Sequence, residues 1–223
     1  MNAIILAAGK GSRLGMPHPK CLTKLKTGET ILERQINSLS KYIDKKNIYI
    51  VVGYKKELII ENQPDCNFIT NHNFNKNNTS KSLLCAIEDN HDSDIIWLNG
   101  DVVFDSKVLS PIIKSRNSCM LVNTNSVLEE EVKYNLNGDG TINQVSKEII
   151  DGLGEAVGVN KILKKHLNKF IHALKECDDQ DYFEFAIEKI IKKNIPIYPI
   201  DISSKLCMEI DFKEDLDLVN KEL

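Results

Sequence analysis

The 223-residue sequence has one tryptophan, no Cys-x-x-Cys pair and no excess of positive charge. It also has no apolar run near the roughly 20 residues that a membrane-spanning helix requires. Its six cysteines (Cys21, Cys66, Cys85, Cys119, Cys177, Cys207) are scattered, which excludes a zinc knuckle and reads as free thiols in a reducing compartment. The five histidines, at 18, 72, 91, 166 and 172, form no ligand spacing. With a formal net charge of −3 and no long basic run, a nucleic-acid track is not expected; the Lys pairs at 45–46, 55–56, 164–165 and 192–193 read as solvated helix faces. No repeat, low-complexity stretch or Pro/Gly-rich linker interrupts the sequence, so one domain over 1–223 is expected. The chain enters an apolar strand at once, so neither a leader nor membrane association is expected, and a cytoplasmic location is.

What is present suits a globular core: 42% apolar and 27% charged residues. Residues 3–8 are continuously apolar, as a central parallel strand buried on both faces should be. Residues 31–39 have helical spacing with Thr30 as N-cap. Strands are expected at 47–52, 67–69, 94–99 and 118–122, with helices at 55–61 and 80–89 and one before 118. Such alternation implies βαβ units, hence an α/β fold with a Rossmann-like, mostly parallel sheet flanked by helices. After about residue 130 a turn at Asn137-Gly138-Asp139-Gly140 and strand candidates at 142–149 and 156–159 predict a small antiparallel excursion. Helices at 161–175 and 181–193, a strand at 197–200 and a helix from 212 complete the chain.

The most informative segment is Ile4-Ile5-Leu6-Ala7-Ala8-Gly9-Lys10-Gly11-Ser12-Arg13-Leu14-Gly15, followed by Pro19-Lys20. A buried strand opens into a glycine turn carrying Arg13 and Lys20. Glycines let backbone N–H groups approach phosphate oxygens, and the two cations complement a polyphosphate. Counting excludes a Walker loop, because Lys10 lies between the glycines, and the dinucleotide fingerprint, because its third glycine position is Leu14. The segment resembles the L-A-A-G-x-G-S/T-R…P-K signature of the nucleotidyltransferase superfamily, the pyrophosphorylases and cytidylyltransferases, with their GT-A-like fold. The ending Glu209-Ile210-Asp211-Phe212-Lys213-Glu214-Asp215-Leu216 is similar to that of the alcohol-phosphate cytidylyltransferases, which include the phosphocholine enzymes.

This resemblance implies transfer of CMP from CTP to a small phosphorylated or phosphonate acceptor with release of pyrophosphate, for decoration of a surface polysaccharide, capsule or lipid. It implies Mg²⁺ held by Asp101, just past a strand end in Asn99-Gly100-Asp101, and by Asp211. Taken alone, Asp101 is equally a turn or capping residue and Asp211 a helix N-cap; Glu209 is the substitute ligand. Arg13 would face the leaving pyrophosphate, and Lys20 would bridge the α-phosphate and the acceptor. The nucleotide would meet Leu6, Ala7, Ala8, Gly9, Gly11, Ser12 and Gly100, together with Asn78, Thr79 and Ser80 of Asn77-Asn78-Thr79-Ser80-Lys81-Ser82-Leu83. That last segment reads equally as a loop and helix cap.

For the acceptor the resemblance points to Lys147 and Glu155, which are otherwise ordinary solvated strand ends. Tyr182, Phe183 and Phe185 would wall the acceptor pocket, although core packing is the expected role of at least two of them. A sugar-1-phosphate uridylyltransferase shares the spacing from Arg13 to Pro19-Lys20 and is the alternative. A non-catalytic nucleotide-binding regulator would not need both carboxylates. A monomer or homodimer is expected.

Overall fold

The computed structural model describes residues 1–90, 92–125 and 131–223; the histidine at 91 lies outside them. Its strands are β1 (Asn2–Ala7), β2 (Ile48–Val52), β3 (Asn67–Thr70), β4 (Ile95–Asn99), β5 (Val102–Phe104), β6 (Cys119–Asn123), β7 (Lys133–Leu136), β8 (Ile142–Ser146), β9 (Gly154–Ile162), β10 (Tyr198–Asp201) and β11 (Cys207–Glu209). Its helices are α1 (Ile31–Leu39), α2 (Lys56–Asn62), α3 (Thr79–Ile87), α4 (Leu109–Lys114), α5 (Lys164–Lys175), α6 (Phe183–Lys192) and α7 (Lys213–Glu222).

The main sheet runs β10-β6-β9-β4-β1-β2-β3, with β7 and β8 paired beside β9. β1 lies parallel between β2 and β4, which explains its uninterrupted apolar sequence. Ile4 and Leu6 pack with α3, α5 and α6 on one face, while Ala3, Ile5 and Ala7 pack with α1, α2 and α4 on the other. α1 starts in the capping box expected of Thr30: the Glu33 N–H donates to Thr30 Oγ1 (3.1 Å), and the Thr30 N–H donates to Glu33 Oε2 (2.6 Å).

The antiparallel element is more central than its sequence suggests. β9 lies between β4 and β6, antiparallel to both. β9 is buried along almost its whole length, Asn160 and Lys161 included, so no inside–outside alternation marks the place it takes in the sheet. The sequence pattern also missed β5, three residues long, which pairs antiparallel with β11. This two-stranded ribbon and α7 bury Val103, Ile210 and Val219 with Leu25 and Ile31, bringing the end of the described chain back to the glycine turn. All six cysteines are free. No helix among the described residues is long and apolar enough to cross a membrane.

Candidate functional site

β1 and β4 end side by side, and the turns leaving them form the site. Gly11 takes a left-handed conformation (φ +58°), and a Cβ there would lie 2.6 Å from Lys20 Cβ. A Cβ on Gly100 would lie 2.7 Å from the Leu6 carbonyl oxygen. Both turns therefore require glycine, one for backbone conformation and one for close approach. Leu6, Ala7, Gly9 and Gly11 share a cavity of about 70 Å³ with Lys20, Gly100 and Asp101. Ser12 and Arg13 sit in an exposed 3₁₀ turn above it. Ala8 is buried and its carbonyl accepts the Tyr54 N–H (3.0 Å), so that oxygen is already used by the fold.

The charged groups converge. Lys20, buried in a 3₁₀ turn (Lys20–Leu22), donates from Nζ to Asp101 Oδ2 (2.7 Å) and to Asp211 Oδ1 (2.6 Å). Arg13 reaches the other oxygen of Asp211 (2.9 Å), and its guanidinium lies 5.8 Å from the centre of the Phe212 ring. Burial acts to lower the Lys20 pKa, but the two carboxylates outweigh it and raise the pKa above 10.5. Asp211 is not the side-chain cap of α7; the Asp215 carboxylate accepts the N–H groups of Asp211 (2.9 Å) and Phe212 (2.7 Å) instead.

Two hard carboxylates facing one cation offer donors that suit Mg²⁺. Asp101 Oδ1 is buried without a hydrogen-bond partner among the described residues, the condition of an oxygen shaped for a ligand. No cluster of three or more His, Cys, Asp or Glu able to hold a metal occurs among those residues, so substrate oxygens would have to complete the coordination. Glu209 is tied up differently, its Oε1 accepting from Asn99 Nδ2 (2.8 Å).

A second cavity, of about 420 Å³, begins where Asp211 lies and is lined by Lys147, Glu155, Glu209 and Phe212. Burial, and the neighbouring Glu131, push Glu155 up to about 8; burial followed by Asp101 raises Glu209 as well. A third cavity, of about 340 Å³, shares Lys147 and contains Tyr182, Glu184 and Phe185. The Lys147 ammonium stands 5.2 Å from the centre of the Tyr182 ring. Of the three aromatics only Phe183 is core, stacked edge-on to Trp97; Tyr182 and Phe185 are over 40% exposed, contrary to the expectation that at least two would be buried. Phe183 and Phe185, two residues apart at the start of α6, face opposite ways, and apolarity alone does not separate them.

Asn78, Thr79 and Ser80 do not line the small cavity beside β1. They dock a loop. Asn78 N donates to Asp179 O (2.7 Å) and Ser80 N to Asp181 O (3.3 Å), and Thr79 Oγ1 accepts from Phe183 N (3.1 Å). Their polar atoms thus hold the segment that carries Tyr182.

Residues 3–132 match the family described as MobA-like NTP transferase domain. The bifunctional protein GlmU of Methanococcus aeolicus is 40% identical over 112 residues, 47% of this chain and 26% of that protein. GlmU of Buchnera aphidicola subsp. Acyrthosiphon pisum is 30% identical over 225 residues, 98% of this chain and 46% of that protein. The chain spans less than half the length of these relatives. Among solved structures, the inositol-1-phosphate CTP transferase from T. maritima superposes with a TM-score of 0.78 at 21% identity, covering 99% of this chain and 93% of that one. The CTP:phosphocholine cytidylyltransferase from Streptococcus pneumoniae gives 0.77 at 20% identity, covering 99% and 98%. The nucleoside-diphosphate-sugar pyrophosphorylase from Vibrio cholerae gives 0.76 at 14%, covering 98% and 99%. These structures share the fold.

Proposed function

The chain belongs to the MobA-like NTP transferase domain family, and from that premise we propose that it transfers CMP from CTP to a small phosphorylated or phosphonate acceptor, releasing pyrophosphate. The observation that carries this reading is that Lys20 joins the two cavities: Asp101 lines the one beside the glycine turn, Asp211 lines the larger one, and the Lys20 ammonium bonds both. A donor and an acceptor seated in these cavities would meet at that cation.

In this reading an oxygen of the acceptor phosphate attacks the α-phosphorus in line. The bond from that phosphorus to the oxygen bridging to the β-phosphate breaks, and pyrophosphate leaves with the electron pair. Arg13 neutralises the leaving group, and Lys20 bridges the α-phosphate and the acceptor phosphate. The acceptor phosphate is already ionised near neutral pH, so the chain need supply neither a nucleophile nor a general base. Asp101 and Asp211 would hold Mg²⁺, which when bound offsets phosphate charge. Lys147 meets the acceptor phosphate, and Glu155 meets its amine or hydroxyl end.

CTP is preferred here on the resemblance of the Glu209–Leu216 ending and on two structural neighbours named for CTP. Transfer to a sugar 1-phosphate is the second reading, favoured by the neighbour named as a nucleoside-diphosphate-sugar pyrophosphorylase. The deciding experiment is pyrophosphate release with Mg²⁺ over a panel of triphosphates and phosphorylated acceptors. Release is expected with CTP plus an acceptor and is expected to fall by several orders of magnitude in Asp101→Ala. No release across the panel, wild-type turnover in Asp101→Ala, or a tenfold higher kcat/KM with UTP or GTP would overturn the reading.

A further inference from the structure

The apolar stripe of α1 reads Ile31, Leu32, Ile36 and Leu39, all at most 2% exposed, and a polar residue, Gln35, stands in it. Gln35 is 1% exposed. Burying a primary amide among aliphatic side chains costs free energy unless its hydrogens find acceptors. Both do: Nε2 donates to the Asn99 carbonyl (2.9 Å) and to the Val102 carbonyl (2.8 Å). Those two carbonyls flank Gly100 and Asp101, so one side chain grips the turn on both sides of the carboxylate it carries.

Two backbone bonds tie the same turn, besides the Asn99 side chain's bond to Glu209. The Gly100 N–H donates to the Leu6 carbonyl (2.8 Å), and the Ile210 N–H donates to the Asp101 carbonyl (3.1 Å). The first anchor comes from the strand that opens the glycine turn and the second from the segment that ends in Asp211. Gln35 supplies the third, from the helix layer beneath, and it is the only one of the three made by a side chain. The Asp101 carboxylate makes no hydrogen bond with Gln35; Oδ2 meets Lys20, and Oδ1 meets no partner among the described residues.

We propose that Gln35 is a positioning residue: it fixes the Asn99–Val102 turn so that Asp101 presents its carboxylate to the cation site. This rests on the reading of Asp101 as a metal ligand. An apolar residue at 35 would fill the stripe equally well but would leave two carbonyls without their donor and the turn free to shift. Partners that orient metal ligands from behind typically contribute ten- to a hundredfold in affinity or rate.

The test compares Gln35→Met, which keeps length and apolar packing but donates nothing, with Ile36→Ala, which removes core packing one residue away. Three readouts are taken on the full chain: Mn²⁺ binding in the presence of CTP by electron paramagnetic resonance, deuterium uptake of the metal-free protein, and steady-state kinetics. Gln35→Met is expected to weaken Mn²⁺ binding and lower kcat by roughly ten- to a hundredfold, with KM for CTP changed by less than about threefold. Faster exchange should be confined to the peptide covering 98–104. Ile36→Ala is expected to lower Tm through its cavity while Mn²⁺ binding stays within about twofold of wild type. Wild-type Mn²⁺ binding in Gln35→Met, exchange raised across the whole chain, or an equal loss of Mn²⁺ binding in Ile36→Ala would overturn the proposal. Wild-type protein that releases no pyrophosphate would overturn the functional reading instead, while the exchange and Mn²⁺ measurements would still decide the role of Gln35.

Discussion

Lys20 Nζ lies 2.6 Å from Asp211 Oδ1, a contact between residues 191 positions apart in the chain. With Asp101 on its other side, this ammonium holds together two carboxylates that would otherwise repel. Lys20→Met should therefore lower Tm without Mg²⁺. Removing one member of a buried charge cluster costs about 3–5 kcal/mol, and because each Asp side chain is about a quarter exposed (24% and 27%), about 1–2 kcal/mol is expected here. Added Mg²⁺ should then raise Tm more in Lys20→Met than in wild type, since a divalent cation can take the vacated place. Differential scanning calorimetry with and without Mg²⁺ checks this; equal Mg²⁺ increments in the two proteins would show that metal and ammonium do not share the site.

Lys147 stands in the wall shared by the second and third cavities, its ammonium over the Tyr182 ring. Its charge is available to an anion entering beside Asp211, away from the glycine turn. Lys147→Ala should raise KM for the acceptor or lower kcat by about tenfold or more while changing CTP binding little, since its charge is aimed at the second substrate. Initial rates with each substrate varied in turn give the comparison. Lost CTP affinity with unchanged acceptor dependence would move Lys147 out of the acceptor site.

The parts of the fold legible in the sequence are those in which local pattern and tertiary role agree. β1 is apolar because it is central, and α1 announces itself through Thr30, Glu33 and a 3.6-residue stripe. Asp101 is visible because a strand, a glycine and a carboxylate stand in order. The antiparallel direction of β9 is expected from the sequence, but its place between β4 and β6 and the β5–β11 ribbon are not legible: burial on both faces leaves β9 without an alternation that would show its neighbours, and the ribbon consists of two three-residue strands whose pairing depends on distant chain. Gln35 did leave a signal, a polar residue at a core position of an amphipathic helix, but its meaning appears only with the carbonyls of Asn99 and Val102 in place. The Asn78–Ser80 segment is another case: a motif suggests nucleotide contact, and the fold uses the backbone N–H groups of Asn78 and Ser80 and the Thr79 hydroxyl to dock a loop.

That loop supplies a test separating those two roles. Lys81 Nζ donates to the carbonyls of Leu174 and Lys175 (3.3 Å each) and to that of Cys177, closing the end of α5 just before the loop that carries Tyr182. Cations at a helix C-terminus contribute up to about 1 kcal/mol at such positions. Lys81→Met should loosen 177–182 and raise KM for the acceptor several-fold, with KM for CTP nearly unchanged. A rise in KM for CTP alone would instead place the start of α3 in the nucleotide site.

The last expectation concerns pH and needs no substrate. Glu184, in the first turn of α6, is 7% exposed, and its Oε2 has no hydrogen-bond partner among the described residues. Burial pushes its pKa from 4.5 up to about 7, with Lys147 opposing the shift. Between those two values the unfolded chain has released this proton and the folded chain retains it. The folded state therefore binds more protons, and stability falls as pH rises through that window. Glutamine keeps the shape and cannot ionise. Glu184→Gln should accordingly match wild type near pH 4.5 and gain on it progressively, by on the order of 3 kcal/mol above pH 8, the free energy of moving that proton's release from pH 4.5 to about 7. Urea denaturation of both proteins from pH 5 to pH 8.5 measures the difference directly. Glu155, also raised, is present in both proteins, whereas the Glu184 charge is one of those that raise Glu209, so the comparison is repeated in a Glu209→Gln background to isolate Glu184. A gap independent of pH would mean that Glu184 is ionised throughout, and that the carboxylate is held by a cation of the third cavity, which Lys147 also lines.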